Sequence, residues 1–257
     1  MIPSSVVFSF VIAAIFTSVV PIVIIIVLGI RRKISALPLL CGTAAFWLSQ
    51  FKLRMPLISM LSEQSWYQGF AAQFFVYVLF LSFSAGLFEE SARLGGAFLL
   101  KNHRSYKDII SFGLGHAFCE VILITGLANI TNAFICLSLN SGSAAYFMSP
   151  EQTEAVSAWL SDINTAEIWL GILERFSAVV FHIFATMLVF TGAVKKKIRY
   201  YLLAVLIHTL FNFAAVLTAY FAGTAASEAM LFIAASVMGF YVLKQKKDFA
   251  DVQQDME

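Results

Sequence analysis

Charge is scarce in this sequence: 12% of its 257 residues are Asp, Glu, Lys or Arg, while 60% are hydrophobic and the mean hydropathy is +0.84. So little polar surface excludes an ordinary soluble domain of this size. Cysteine is rare as well. Cys41, Cys119 and Cys136 all fall in apolar runs, and an odd number without regular spacing argues against a disulfide framework, so they read as small buried hydrophobes. Histidine occurs four times, and no HExxH is present, which removes the two-histidine helix of soluble zinc proteases. The apolar runs are continuous rather than alternating, which argues against an outer-membrane barrel.

What the chain has instead is a series of runs long enough to cross roughly 30 Å of hydrocarbon, which takes about 20 helical residues. Backbone polar groups must be satisfied internally in lipid, so the runs are expected as helices. The spans fall at 4–30, 35–51, 69–100, 108–139, 166–193, 200–221 and 227–243. The expected fold is therefore all-α, a polytopic bundle of about seven or eight membrane helices forming one domain over 1–257. The motif-bearing helices cover 69–221. The first run is too long for a signal core and has no basic residue before it, so it reads as an uncleaved span. The stretch 52–67, with Pro56 and Trp66, is expected as a loop or an interfacial helix. The polar stretch 140–165 is expected as the main extramembrane loop, and 248–257 as a disordered acidic tail. No internal repeat is visible, which gives no support to inverted-repeat transporter architecture.

Basic residues set the orientation. Arg31, Arg32, Lys33, Lys101, Arg104, Lys107, Lys195, Lys196, Lys197, Arg199, Lys244, Lys246 and Lys247 fall after the odd-numbered spans, and they are 13 of the 17 basic residues. The segments 140–165 and 222–226 have none. An outside N-terminus and a cytosolic C-terminus are expected.

Ionisable groups inside a bilayer are costly and mark function by default. The third span carries Glu89, Glu90 and Arg93, the fourth His116 and Glu120, the fifth Glu174, Arg175 and His182, and the sixth His208 and Asn212. Glu89/Arg93, His116/Glu120 and His208/Asn212 are each four apart, so each pair shares a helix face. Counted from the cytosolic ends, Glu89, His116, His182 and His208 lie at about the same depth, roughly 12–18 Å in at 1.5 Å per residue. Bland roles compete at each position: Arg93 as internal counter-ion, Glu174–Arg175 as a structural pair, a single histidine as interhelical glue.

A carboxylate beside an imidazole in a protected site can deprotonate a water as it attacks a carbonyl, and His208 with Asn212 could stabilise the resulting oxyanion. Alternatively His116, His182, His208 and Glu120 could bind a divalent metal such as zinc that activates the water. No aspartate lies in the interior of a run, which excludes a two-aspartate intramembrane protease. Ser91 beside the glutamate pair carries no sign of activation.

Glu89-Glu90-Ser91-Ala92-Arg93, then Phe112 with His116, then His208 with Asn212, resemble the CPBP (Abi, CAAX-protease and bacteriocin-processing) superfamily. Gly113-Leu114-Gly115-His116 with Glu120, and Glu174-Arg175 leading to His182, look most like its YhfC-type branch of membrane peptidases. One departure is that Arg93 follows Glu90 by three residues where the usual motif has four, a turn of about 100°. The resemblance implies an intramembrane peptidase acting on a membrane-associated protein or peptide. It makes Glu89 and Glu90 the catalytic carboxylates, with His116 assisting and His208 and Asn212 stabilising the transition state. Arg93, Glu120, His182, Glu174 and Arg175 support the polar cavity. The partners expected are the substrate and the bilayer, with no nucleic acid. The rival classes are a transporter with a Glu/His relay and a non-catalytic immunity or sorting factor of the same fold.

Overall fold

The computed structural model describes residues 1–246 and Phe249, and every regular element among them is helical. The helices are α1 Ser4–Ile30, α2 36–62, α3 Tyr67–Ala71, α4 Phe74–Leu99, α5 Tyr106–Ser141, α6 Pro150–Asp162, α7 Thr165–Lys195, α8 Arg199–Ala222 and α9 Thr224–Lys244. The acidic tail expected over 248–257 lies, apart from Phe249, outside the described residues.

Six of these, α1, α4, α5, α7, α8 and α9, are long and apolar enough to cross a membrane. The remaining expected span, the second at 35–51, does not end at residue 51. It continues without a break to residue 62, and Gln50, Lys52 and Arg54 in its middle dilute its apolar character. Those residues lie on a π-helical stretch, Leu48–Arg54. Such wider turns change which side chains face inward and often occur at functional sites.

The polar stretch 140–165, expected as loop, carries α6. Ser149 caps it: Gln152 N–H donates to Ser149 Oγ at 3.2 Å, and Ser149 N–H donates to Gln152 Oε1 at 2.9 Å. This reciprocal pair satisfies two of the orphan donors of the first turn. One residue, Gly223 at φ +86, separates α8 from α9, a conformation that costs glycine little.

The chain forms two compact units. The first comprises Met1–Val27 and Glu120–Arg175. Its core joins Ile2, Val6 and Phe10 of the N-terminal stretch to Ala133 and Cys136 of α5 and Leu160 of α6. Ile2 N–H donates to Asn140 Oδ1 at 2.7 Å, while Asn140 Nδ2 donates back to the Ile2 carbonyl.

The second unit comprises Leu28–Cys119 and the described residues from Phe176 onward. Phe184, Met187, Leu188, Val189 and Phe190 of α7 fill its centre against Ala97, Ile109, Phe112 and Ala204. Small residues bring the remaining backbones close. A Cβ on Gly42 would collide with the Phe112 carbonyl, and one on Gly115 with the Leu39 carbonyl, so α2 and α5 touch backbone to backbone. Thr43 Oγ1 also donates to the Gly115 carbonyl at 3.2 Å. Between α4 and α8, a Cβ on Gly86 would sit 3.1 Å from the Val205 carbonyl oxygen and 3.2 Å from His208 Cβ. Close approach through small residues is the usual means of associating helices where lipid gives no hydrophobic drive, and here it carries His116 and His208 inward.

Candidate active site and metal centre

Four helices of the second unit converge on one buried polar group. α4 supplies Glu89, Glu90 and Arg93, the first part of α5 supplies His116, α7 supplies His182, and α8 supplies His208. None is more than 4% exposed. Apolar rings seal the group: Phe46 packs edge-on to His116 at 5.2 Å between centroids, and Phe181 packs edge-on to His208 at 4.9 Å.

Arg93 reaches both carboxylates of its own helix. Its Nη1 donates to Glu90 Oε1, and its Nη2 lies 3.6 Å from Glu89 Oε2. The spacing of three rather than four residues therefore still pairs it with Glu90, because residues three apart are also neighbours on a helix. Arg93 Nη2 further donates to His182 Nδ1 at 2.6 Å. Since guanidinium has no acceptor, His182 must offer a lone pair at Nδ1.

Glu89 stands at the centre. Its Oε2 lies 3.0 Å from His116 Nε2 and 3.9 Å from His182 Nδ1, while its Oε1 is 4.0 Å from His208 Nε2. Glu90 Oε1 accepts from His208 Nδ1 at 2.7 Å. That bond fixes a proton on Nδ1 and turns Nε2 toward Glu89, the arrangement by which a carboxylate orients an imidazole.

Two residues that sequence reasoning assigned to a span end and a loop belong here as well. Gln50 Nε2 donates to Glu89 Oε1 at 2.6 Å. Arg54, one turn later, donates to Gln50 Oε1 at 3.0 Å, to Ser84 Oγ at 3.0 Å and to the Leu81 carbonyl at 2.9 Å. The signal was a Gln and an Arg four apart at the end of an apolar run, a spacing that places both on one face.

The remaining predicted residues fall as follows. Asn212, one turn beyond His208, is half-buried and makes no side-chain hydrogen bond among the described residues. Glu120, Glu174 and Arg175 belong to the first unit, where Arg175 pairs with Glu174 and lies 3.4 Å from Glu120 Oε1. Ser91 is exposed and bonds Tyr201 through their hydroxyls at 2.8 Å.

Glu89, His116 and His182 each offer a ligand atom, and the three atoms lie within 4.8 Å of one another. Two imidazoles and a carboxylate are a donor set found in catalytic zinc sites. The two carboxylates meet Arg93 directly and Arg54 through Gln50. These residues fit a divalent ion by type and convergence. Gln50, which bonds the Glu89 oxygen on the far side from His116, would hold that carboxylate in place.

The model of the YhfC intramembrane metalloprotease family matches residues 16–235 of the chain. An uncharacterized membrane protein, YhfC of Bacillus subtilis strain 168, is 31% identical over 182 residues, which cover 67% of this chain and 70% of that protein. No solved structure matches the chain.

Proposed function

The chain belongs to the YhfC intramembrane metalloprotease family, and we propose that it hydrolyses a peptide bond of a membrane-associated protein or peptide, activating the attacking water at Glu89, His116 and His182. It is an integral protein of a bacterial plasma membrane. The observation that carries the proposal is the convergence of those three buried donors within 4.8 Å.

A divalent ion such as zinc, held by Glu89, His116 and His182, would supply Lewis-acid activation of the water. The chain's own groups handle the protons. Where no ion occupies the group, Glu89 and His116, 3.0 Å apart, can take the proton that the water gives up and return it to the leaving nitrogen. Glu90 holds His208 by Nδ1, and a proton carried on Nε2 would make that nitrogen a donor toward developing negative charge, with the Asn212 amide as the second donor. Arg93 donates to Glu90 and holds it in place for that task.

An apolar cavity of about 690 Å³ between α2 and α4 supports a membrane-embedded substrate. Leu48, Ser49, Leu53, Leu87 and Phe88 line it, and two of these directly precede Gln50 and Glu89. With α2 crossing as a seventh span, the distribution of basic residues supports an outside N-terminus.

The test is proteolysis of a membrane-peptide library by purified protein, wild type against Glu89→Gln, each with and without a chelator. Cleavage lost in the variant and on chelation, and restored by zinc, is the expected result. Cleavage that survives chelation but not the substitution would assign the water to Glu89 and His116 alone. Equal cleavage by wild type and variant would end the peptidase reading.

A further inference from the structure

We propose that the α7–α8 turn and the adjoining face of α4 form a binding site for one anionic phospholipid. Lys196 and Lys197 would take its phosphate, and Leu94, Phe98 and Ile198 would lie along its acyl chain. The inference is independent of the peptidase reading.

The turn has a fixed shape. Lys196 adopts φ +52, and the Lys197 N–H donates to the Gly192 carbonyl at 2.9 Å. Gly192 is needed there, because a Cβ would sit 2.9 Å from Tyr200 Cβ and 3.2 Å from the Lys197 carbonyl oxygen. Of the four basic residues at 195–199, two are already engaged with an aromatic face. Lys195 Nζ lies 5.8 Å, and Arg199 Cζ 5.4 Å, from the centre of the Tyr200 ring. Lys196 and Lys197 instead line a cavity of about 280 Å³, and among the described residues neither has a carboxylate within ion-pair distance.

The order of chemistry along this cavity is that of an amphiphile. Leu94, Val189, Phe98 and Ile198 form apolar walls, and Phe98 and Ile198 are 62% and 63% exposed, so those walls open outward. The two ammonium groups stand at the helix ends, the level of a lipid phosphate. The tendency of lysines to gather on one side of a membrane accounts for their number. It does not account for two unpaired ammoniums on the rim of an apolar cleft in a turn of set geometry. Such basic pockets between membrane helices suit acidic headgroups. A zwitterionic headgroup would bring its own ammonium against both lysines, which selects against it.

The experiment is native mass spectrometry of the detergent-purified full chain titrated with phosphatidylglycerol and phosphatidylcholine of identical acyl chains. The expected result is tighter retention of phosphatidylglycerol, and a fall of about fivefold in its affinity for each lysine removed in Lys196→Gln and Lys197→Gln. Lys196→Arg with Lys197→Arg should keep the preference, as should Lys244→Gln with Lys246→Gln, which removes the same charge elsewhere. Equal retention of the two lipids by wild type would overturn the proposal. So would an equal fall in the Lys244/Lys246 variant, which would mean net charge alone, or displacement by millimolar glycerol 3-phosphate, which would mean a soluble phosphate site.

Discussion

Each of the two units sets an arginine beside a pair of glutamates, and the two groups differ in ways that separate chemistry from scaffolding. In the first unit Arg175, 16% exposed, pairs with Glu174 at 37% and Glu120 at 18%. In the second, the side chains of Arg93 and Glu90 are fully buried and that of Glu89 nearly so. Three of the chain's four histidines stand around Glu89, whereas the residues of the first unit include none. A partly wet group of acid and base needs only to neutralise itself. A dry group with imidazoles in excess of its charges carries donors and acceptors beyond what neutrality requires, and the deep burial of such a group is expensive. That surplus is the argument for catalysis at Glu89 and for structure at Arg175.

The comparison breaks most visibly in activity. Glu89→Gln should lower the cleavage rate by about 10²- to 10⁴-fold, the usual worth of a positioned proton acceptor. Glu120→Gln, at a less deeply buried carboxylate of the other unit, should leave the rate within about threefold. Single-turnover assays on a cleaved membrane peptide measure both. A Glu120 variant as inactive as the Glu89 variant would dissolve the distinction between the groups.

Stability should follow burial. Arg93→Met strands two carboxylates away from water and should cost about 3–5 kcal/mol, as losing one partner of a buried ion pair does. Arg175→Met, at a partly exposed position, should cost about 1 kcal/mol or less. Melting of the two variants in the same detergent tests the pair, and comparable losses would mean that the exposure of Arg175 does not measure its solvation.

Metal affinity sharpens the contrast further. His182→Ala removes one of the three converging donors and should weaken zinc retention at least about a hundredfold, since even the partners of metal ligands matter at that level. Glu174→Gln should not change it. Elemental analysis after dialysis against graded chelator reads this without any substrate.

Much of this was legible in the sequence because helical geometry is regular. A rise of 1.5 Å per residue turns a count into a depth, and that count placed Glu89, His116, His182 and His208 on one level before any contact was known. The apolar runs likewise located α1, α4, α5, α7, α8 and α9 to within a few residues of their ends, apart from the start of α4. Polarity misled elsewhere. Gln50 and Arg54 interrupt the apolar character of α2, so they looked like the end of a span, when each in fact turns inward to hydrogen-bonding partners. α6 was hidden by its polar surface, although Ser149 with Gln152 three residues later is a capping pair that could have been read. Hydropathy reports what faces lipid. It is silent about a polar side chain whose partner arrives on another helix.

That blind spot sets the subtlest test. Gln50 Nε2 donates at 2.6 Å to a buried carboxylate, whereas in the first unit Asn129 Nδ2 reaches the Thr17 hydroxyl at 3.4 Å. A hydrogen bond to a charged group contributes about 1.5–3 kcal/mol, and a long neutral one much less. Gln50→Leu should therefore cost about 1.5 kcal/mol or slightly more, because Arg54 keeps its bonds to Ser84 and the Leu81 carbonyl and limits the damage. Asn129→Leu should cost about 0.5 kcal/mol or less. The Gln50 variant should also slow cleavage about tenfold, since Glu89 loses the donor opposite His116 and with it a fixed orientation. Gln50→Glu should slow it further by setting a second negative charge against Glu89. Measured together, melting and cleavage discriminate two roles. A Gln50→Leu protein that is less stable yet fully active would make the glutamine a helix fastener, while one impaired in both would make it the residue that aims the carboxylate.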